Sequence, residues 1–196
     1  MPRSSEQFDK IRTQRKKLIM DTALELFSEN GFHATSMRQV AQKAGISKGL
    51  TYNYFSSKQE ILDTIVKTGF DSVYAHFDLN HDGVLTEDEF RHFIRQTLNM
   101  VFKNRIFWKL FLSLMLKEGQ AESALEKYSK TNNDIVLILK RFIISRGANN
   151  IDECLMAVSC TLKGAFLITV TSPDIPDAES FTDMIIKSCM KLISAN

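Results

Sequence analysis

The chain has 196 residues, 44% hydrophobic and 24% charged, so it is apolar enough to bury a core and is not intrinsically disordered. Its longest apolar runs are too short to span a bilayer, and its polar, basic N-terminus lacks a secretory signal. The 3 cysteines show no CxxC spacing. These features predict a cytoplasmic protein with reduced thiols and no membrane partner.

The charge is unevenly distributed along the chain. Residues 1–58 contain ten Lys and Arg against five Asp and Glu, whereas the remaining residues contain 15 against 18. A basic N-terminal segment on a slightly acidic body suits a polyanionic partner at one face. An ordinary solvated surface would show the same pattern, so charge alone does not decide.

Apolar residues recur at helical spacing through almost the whole chain, and no hairpin signal competes, which predicts an all-α fold. The first helix ends at Gly31, Thr35 or Ser36 caps the second, and Ser47 caps a short third helix. A capping box over 57–60 opens a fourth helix that runs to about residue 77. Five further helices are predicted at about 88–103, 105–118, 122–146, 152–171 and 178–194.

Residues 35–55 follow the helix-turn-helix pattern of a short helix, a tight turn with glycine and a second short helix. Four apolar residues would pack the two helices together: Ala41, Ile46, Leu50 and Phe55. We expect the second helix to enter the major groove and present Lys48, Thr51 and Asn53 to base edges. The other polar residues expected on the outside are Thr35, Ser36, Arg38, Tyr52 and Tyr54, with Lys58 suited to phosphates. A motif used only for packing is the alternative.

The stretch ALELFSENGFHATSMRQVAQKAGISKGLTYNYFSSKQEIL resembles the N-terminal domain of the TetR (tetracycline-repressor) family over about residues 12–70. The resemblance implies a homodimeric, all-helical bacterial repressor in which a ligand in the C-terminal body moves the fourth helix. It implies a DNA-binding domain over 1–58 and a regulatory and dimerisation domain over 59–196. The residues that it assigns to DNA contact are Thr35, Lys48, Tyr52, Tyr54 and Lys58, and Ser47 and Gly49 lie within the same motif.

The C-terminal body carries two further predictions. The last two helices are apolar on more than one face, which indicates a dimer interface or simply a core, with Leu155, Val158, Leu162, Phe166, Met184, Ile185 and Met190 as the candidate residues. An aromatic, Met-rich stretch is typical of a core and would also suit a pocket for a small apolar ligand, lined by Phe102, Phe107, Trp108, Phe111 and Met115.

Residues 78–89, DLNHDGVLTEDE, carry oxygen donors at the spacing of an EF-hand calcium loop. The predicted Ca²⁺ ligands are Asp78, Asn80, Asp82, the Val84 carbonyl, Thr86 and Glu89, with Gly83 at the sharp bend. Aromatic residues flank the loop, so the resemblance to an EF-hand covers 74–94. The alternative is a loop that folds without metal. The nearby His76, His81 and His92 are interpreted as surface residues and not as a zinc site.

Two functions fit these observations. The first is a DNA-binding repressor controlled by Ca²⁺ at the 78–89 loop. The second is a repressor released by a small apolar ligand, in which the loop is only structural. An enzyme is not indicated, because no nucleophile elbow, phosphate-binding glycine loop or His/Cys ligand motif occurs in the sequence. A calcium buffer would leave the helix-turn-helix segment unexplained.

Overall fold

The computed structural model describes residues 5–80, 82–116, 122–172, 175 and 177–194, with the side chains of residues 5, 122–125 and 127–132 left out of the description. Over these ranges the protein is all-α, as predicted, and no strand occurs in them. The helices are α1 (Ser5–Asn30), α2 (Met37–Lys43), α3 (Lys48–Tyr52), α4 (Lys58–Tyr74), α5 (Glu87–Lys103), α6 (Arg105–Met115), α7 (Glu122–Ser145), α8 (Ile151–Thr171) and α9 (Ala178–Leu192).

The helix starts follow the predicted caps with one correction. Ser36 is the N-cap of α2 and Ser47 that of α3. At α4, Ser57 Oγ accepts from the N–H of Glu60 at 3.1 Å, but the Glu60 carboxylate reaches back to Ser56, accepting from its N–H at 2.6 Å and from its hydroxyl at 2.7 Å. The reciprocal half of the predicted capping box is therefore displaced by one residue, and these bonds to Ser56 lower the pKa of Glu60.

The chain divides into two compact units. Unit 1 comprises residues 1–69 and 110–126, and unit 2 comprises residues 70–109 and 127–196. The boundary between the two units lies within α4, after Gly69. The reason is the apolar face of α4, where Ile61, Leu62, Ile65 and Val66 are buried, so that most of this helix belongs to unit 1.

In unit 1, α2 packs against both α1 and α3. An apolar stripe on α1 supplies the core from one side, with Ile19, Ala23 and Phe27 completely buried. Phe27 meets the ring of Phe32 edge to face, with ring centroids 5.2 Å apart, which closes the turn between α1 and α2. This packing holds the two short helices in a defined orientation.

In unit 2, α5, α8 and α9 pack against one another. Their buried residues form one apolar cluster with the end of α7, including Phe90, Ile94, Phe142, Val158 and Ile186. Among the described residues, α8 alone is long and apolar enough to cross a bilayer, and 22% of its apolar window is buried. Length and composition of this kind also occur in core helices, so they are weak evidence for a membrane span.

Candidate DNA-binding surface and calcium loop

The local sequence determines how α2 and α3 begin. Ser36 Oγ accepts from the N–H of Gln39 at 3.3 Å, and Gln39 Oε1 accepts from the N–H of Ser36 at 2.8 Å, which forms a complete capping box. Ser47 Oγ accepts from the N–H of Leu50 at 3.1 Å. Between the helices, Gly45 has a φ of +66°, a conformation that favours glycine. The turn therefore directs the N-terminus of α3 outward.

Polar and aromatic side chains are exposed along α3 and at the start of α2. Lys48 Nζ lies 5.8 Å from the centroid of the Tyr52 ring, and Tyr52 is 46% exposed. Ser36, Arg38, Ser47, Gly49 and Asn53 are also exposed, and Tyr54 is half-buried. These residues form what we name the α3 surface: Ser36, Arg38, Ser47, Lys48, Gly49, Tyr52, Asn53 and Tyr54. The Lys48 ammonium beside the Tyr52 ring, on a short exposed helix, suits contacts with phosphates and base edges.

Two of the predicted DNA contacts do not lie on this surface. Thr35 is 2% exposed, and its hydroxyl donates to the carbonyl of Gly31 at 2.9 Å. Thr51 is completely buried, and its hydroxyl donates to the carbonyl of Ser47 at 3.2 Å. The prediction that both side chains face outward is wrong, because both hydroxyls satisfy main-chain carbonyls inside the domain.

Lys58 is also placed differently from the prediction. Its ammonium donates to three main-chain carbonyls in the turn between α1 and α2, those of Phe32 at 2.8 Å, His33 at 3.0 Å and Thr35 at 2.9 Å. An ammonium has three N–H donors, so this arrangement uses all of them. The expected phosphate contact at Lys58 is corrected accordingly: the side chain ties α4 to the turn that precedes α2.

Two cations near the α3 surface, Arg12 and Lys16, were not among the DNA contacts predicted from the sequence. Arg12 Cζ lies 5.9 Å from the centroid of the Tyr54 ring, and Lys16 Nζ lies 5.6 Å from that of Phe55. Both side chains come from α1, and they are four residues apart, so they share a helix face. That spacing is visible in the sequence, but only the folded domain shows that this face adjoins Tyr54.

Comparison with known proteins identifies the domain that carries this surface. Residues 19–65 match the family model for bacterial regulatory proteins of the tetR family. This segment resembles the helix-turn-helix domain of the tetR family. The chain is 34% identical over 107 residues to the uncharacterized HTH-type transcriptional regulator YuxN of Bacillus subtilis, an alignment that covers 54% of this chain and 35% of YuxN. It is 35% identical over 66 residues to the HTH-type transcriptional regulator UidR of Escherichia coli K12, covering 34% of each chain.

The TetR-type fold extends beyond the DNA-binding domain. A TetR-like transcriptional regulator from Rhodococcus sp. RHA1 superposes with a TM-score of 0.69 at 20% identity, covering 97% of both chains. The fatty acid degradation regulator FadR of Bacillus halodurans superposes with a TM-score of 0.64 at 16% identity, covering 90% of this chain and 94% of FadR. In sequence, by contrast, the chain spans about a third of the length of YuxN and UidR. The similarity to the tetR family in sequence therefore rests on residues 19–65, whereas the solved structures show a shared fold over most of the chain.

Outside the TetR-type domain, the first half of the 78–89 loop is closed by its own hydrogen bonds. Asp78 Oδ2 accepts from the N–H of Gly83 at 3.0 Å, and Gly83 has a φ of +73°. Asn80 Oδ1 accepts from the N–H of Asp82 at 3.2 Å. Asp78 Oδ1 is buried and has no hydrogen-bond partner among the described residues. A buried carboxylate oxygen without a donor is costly, and a cation would satisfy it.

In the second half of the loop, the predicted ligands Thr86 and Glu89 bond to each other and do not converge with the ligands of the first half. Glu89 Oε2 accepts from the N–H of Thr86 at 2.9 Å and from its hydroxyl at 2.8 Å, so the two residues form the capping box of α5. In the described part of the chain, no three His, Cys, Asp or Glu side chains are grouped to hold a metal ion. The structure thus brings Asp78, Asn80 and Asp82 together, whereas Glu89 points to the cap. Calcium binding stays a prediction.

The apolar flanks of the loop lie where an EF-hand would need them. Leu85 within the loop is buried, and so are Phe77 before the loop and Phe90 after it. Phe77 meets Phe93 edge to face at 5.1 Å, which joins the two ends of the segment. His76 and His92 have ring centroids 6.0 Å apart, and His81 lies outside the described residues. The loop is therefore anchored to the core of unit 2 at both ends.

An ion-pair network fixes the start of α5. The Glu87 carboxylate accepts from Arg91 Nη2 at 2.7 Å and lies 2.8 Å from Arg146 Nη1 at the end of α7. The hydrogen bond from Arg91, with Arg146 beside it, lowers the pKa of Glu87. Farther along α5, Arg95 reaches Asp183 of α9 at 2.7 Å. The outgoing helix of the loop is thus held against the body.

The predicted ligand pocket and dimer interface overlap with the core. Trp108 is buried, and its ring meets that of Phe166 edge to face, with ring centroids 5.6 Å apart. Trp108 was predicted to line the ligand pocket, and Phe166 was predicted to lie at the dimer interface. Phe111 is buried, and Phe102, Phe107 and Met115 are half-buried. Phe102 lines a cavity of about 300 Å³ between α5 and the start of α9 with Arg95, Gln96 and Asn99. Of the five residues predicted to line the aromatic pocket, Phe102 alone lines this cavity.

The dimer prediction needs correction at three residues. Val158, Ile185 and Met190 are buried in the core of unit 2, so their side chains are not free for a partner chain. Leu155 and Leu162 are half-buried, whereas Met184 is 54% exposed. The large apolar side chains that α8 and α9 leave exposed are Met156, Leu167, Ile168, Met184 and Leu192.

Proposed function

We propose that the protein is a transcriptional regulator that binds operator DNA as a homodimer and acts as a repressor. The observation that supports this best is the exposed α3 surface, with Lys48 beside Tyr52, on a TetR-type domain. In this arrangement α3 reads base edges in the major groove, and the Lys48 ammonium holds phosphates. YuxN and UidR are described as HTH-type transcriptional regulators, which agrees with the proposal.

The test is selection of duplexes from a random library by the full chain, followed by binding isotherms for Lys48→Ala and Lys43→Ala. Lys43 is the matched control, because it lies in the same domain and pairs with Glu25 at 3.1 Å and Glu29 at 3.4 Å. We expect Lys48→Ala to reduce the salt slope by about 0.9 and Lys43→Ala to leave it unchanged. No enrichment of any sequence would refute the proposal.

The homodimer follows from the exposed apolar residues of α8 and α9. Side chains such as Met156, Ile168 and Met184 are exposed along two neighbouring helices, a pattern that marks a contact surface. Two copies of this pair would form a four-helix bundle. Sedimentation analysis of Met184→Glu should show a shift toward monomer, whereas Lys187→Glu, at an exposed polar position of α9, should remain dimeric. Monomeric wild-type protein at micromolar concentration would contradict the dimer.

We further propose that Ca²⁺ binds the 78–89 loop. Three observations support it: Asp78 Oδ1 has no hydrogen-bond partner in the described part of the chain, Gly83 has a positive φ, and Leu85 is buried. Binding requires the Glu89 carboxylate to leave its hydrogen bonds to Thr86 and turn into the loop. EF-hands that act as sensors bind at about 10⁻⁷–10⁻⁵ M, and the loss of the cap weakens this.

Glu89→Gln separates the two roles of Glu89. Glutamine retains the capping box but removes the carboxylate that calcium needs. Calorimetric titration with Ca²⁺, and with Mg²⁺ as the comparison metal, should show binding to the wild type and a large loss in Glu89→Gln. Glu87→Gln is the control, because Glu87 carries the same charge two residues away but points to arginines. Equal calcium affinity in Glu89→Gln and the wild type would refute the assignment.

Calcium would control DNA binding through α4. This helix begins in unit 1 and ends at Tyr74, shortly before the loop, while α5 after the loop is held to α7 and α9. Filling the loop changes the angle between the helices that flank it. We expect Ca²⁺ to lower DNA affinity by about 5- to 150-fold, the usual range of allosteric coupling. Isotherms at fixed ionic strength, with calcium and with chelator, test this.

The second candidate is a repressor released by a small apolar ligand. FadR of Bacillus halodurans, whose fold this chain shares, is described as a fatty acid degradation regulator. Identical DNA isotherms with and without calcium would favour this candidate. A fatty acid series of increasing chain length, added to the protein–DNA complex, would then show whether an apolar ligand releases DNA.

A further inference from the structure

Helix α1 begins well before the segment that matches the TetR family. It starts at Ser5, whereas the match starts at residue 19. Residues 6–18 are exposed except for Ile11 and Lys16, which are half-buried, so this part of α1 contributes little to the core of unit 1. A helix that extends beyond its own core, and is polar along most of its length, presents a surface for a partner.

The charge of this extension is strongly positive. Residues 5–18 contain five cations, Lys10, Arg12, Arg15, Lys16 and Lys17, against the two acids Glu6 and Asp9. Lys17 pairs with Asp21 at 2.6 Å. Arg12 and Lys16 instead lie on the face toward Tyr54 and Phe55, at 5.9 Å and 5.6 Å from the ring centroids. On α4, the carboxylate of Glu60 accepts from Ser56 and is attracted by Lys16.

This basic face is continuous with the α3 surface. Tyr54 follows Asn53 at the end of α3, and Arg12 lies over its ring. A cation above an aromatic ring keeps its N–H donors available for other acceptors. The ring also restricts the side chain before any ligand binds, so that less conformational entropy is lost on binding. A guanidinium in this position suits a phosphate, which it can hold through two parallel hydrogen bonds.

We propose that Arg12 and Lys16 form an additional DNA contact, which holds backbone phosphates of the same duplex that α3 reads. The inference rests on the proposed DNA-binding function and extends its surface onto α1. The partner is double-stranded DNA because the charge is positive, the face adjoins the reading helix, and phosphates lie along both edges of a groove. These contacts add affinity without sequence preference.

The experiment measures the salt dependence of DNA binding for Arg12→Ala, Lys16→Ala and the double variant in the full chain. The probes are a duplex selected by the wild type and a mixed-sequence duplex of equal length. Lys17→Ala is the control, because it removes the same charge from the same helix at a residue that is paired with Asp21. Thermal unfolding of each variant shows whether the substitution destabilises the fold. The conservative variants Arg12→Lys and Lys16→Arg keep the positive charge, so they show whether charge accounts for the loss of DNA contacts.

We expect the slope of log K against log salt to fall by about 0.9 for each single variant and about 1.8 for the double variant, on both duplexes. The conservative variants should retain the wild-type slope. Slopes equal to that of Lys17→Ala would overturn the inference, while a reduced slope in Lys48→Ala would still support the proposed function. Failure of the wild type to bind either duplex would instead refute the function itself.

Discussion

The ammonium of Lys58 lies over the ring of Phe32, 4.6 Å from its centroid, and donates a 2.8 Å hydrogen bond to the carbonyl of the same residue. Two further carbonyls of this turn, those of His33 and Thr35, accept from the same nitrogen. Helix α4, which follows the helix-turn-helix motif, is thereby tied to the turn that precedes this motif.

Lys58→Met should therefore destabilise the helix-turn-helix domain and leave the number of phosphates that the domain contacts unchanged. We expect a loss of about 1–3 kcal/mol in the free energy of unfolding, because three carbonyls, two of them in part-buried hydrogen bonds, lose a charged donor. Urea unfolding gives the stability, and the salt slope of DNA binding counts the phosphates. A slope reduced by about 0.9 with unchanged stability would show instead that Lys58 binds phosphate.

Gly69 of α4 leaves no space for a side chain. A Cβ atom at this position would lie 2.5 Å from Cε2 of Phe111 and 2.8 Å from Cζ. Because Phe111 is itself buried, Gly69→Ala forces its ring to move, and we expect a loss of about 1–3 kcal/mol in the free energy of unfolding. The double variant Gly69→Ala with Phe111→Leu should recover part of that loss. Equal stability of Gly69→Ala and the wild type would contradict the close contact.

The pair of arginines around Glu87 predicts an acid-dependent loss of stability. Hydrogen bonding from Arg91, with the charge of Arg146 nearby, lowers the pKa of Glu87 in the folded state. The stabilisation is present above the unfolded value of about 4.3 and is lost as the pH falls through the folded value. Melting temperatures between about pH 5 and 3 should fall less steeply in Glu87→Gln than in the wild type. Arg146→Gln should flatten the same profile, and unchanged profiles in both variants would argue against the pairing.

The thiol of Cys189 should be unreactive in the folded protein. Its side chain is completely buried, and burial raises its pKa to about 11. The thiolate, which is the reactive form, is therefore scarce at pH 8. We expect labelling of Cys189 by a thiol reagent to follow the rate of unfolding, measured by mass spectrometry in increasing urea. Cys189→Ser should remove only this slow phase, and rapid labelling without urea would contradict the burial.

Much of the local structure could be predicted from short-range signals. Ser36 and Ser47 cap α2 and α3 as expected, because a hydroxyl before a helix satisfies N–H groups within the same few residues. Gly31, Gly45 and Gly83 all have positive φ at the predicted turns. The donor spacing of the 78–89 loop was readable in the same way, and Leu85 is buried where the pattern requires it.

Side-chain direction was predicted less well. Thr51 was expected to face DNA, but its hydroxyl turns to the carbonyl of Ser47, because a threonine within a helix can bond back four residues. Val158, Ile185 and Met190 were expected at an interface, but they are buried in the monomer core. Apolar residues on several faces of a helix do not reveal which face meets a neighbour in the same chain.

By itself, the sequence determined the all-α class, most of the helix starts and the helix-turn-helix with its exposed Lys48 and Tyr52, because helical periodicity, caps and turns depend on residues close together in the chain. The end of α4 was predicted at about residue 77, but the helix ends at Tyr74. Only the tertiary structure decided that Lys58 is bound to the turn at Phe32, that Trp108 packs on Phe166, and that Arg12 adjoins Tyr54. These contacts join residues 26, 58 and 42 positions apart. Packing against the remainder of the fold selects among the partners that local patterns leave open.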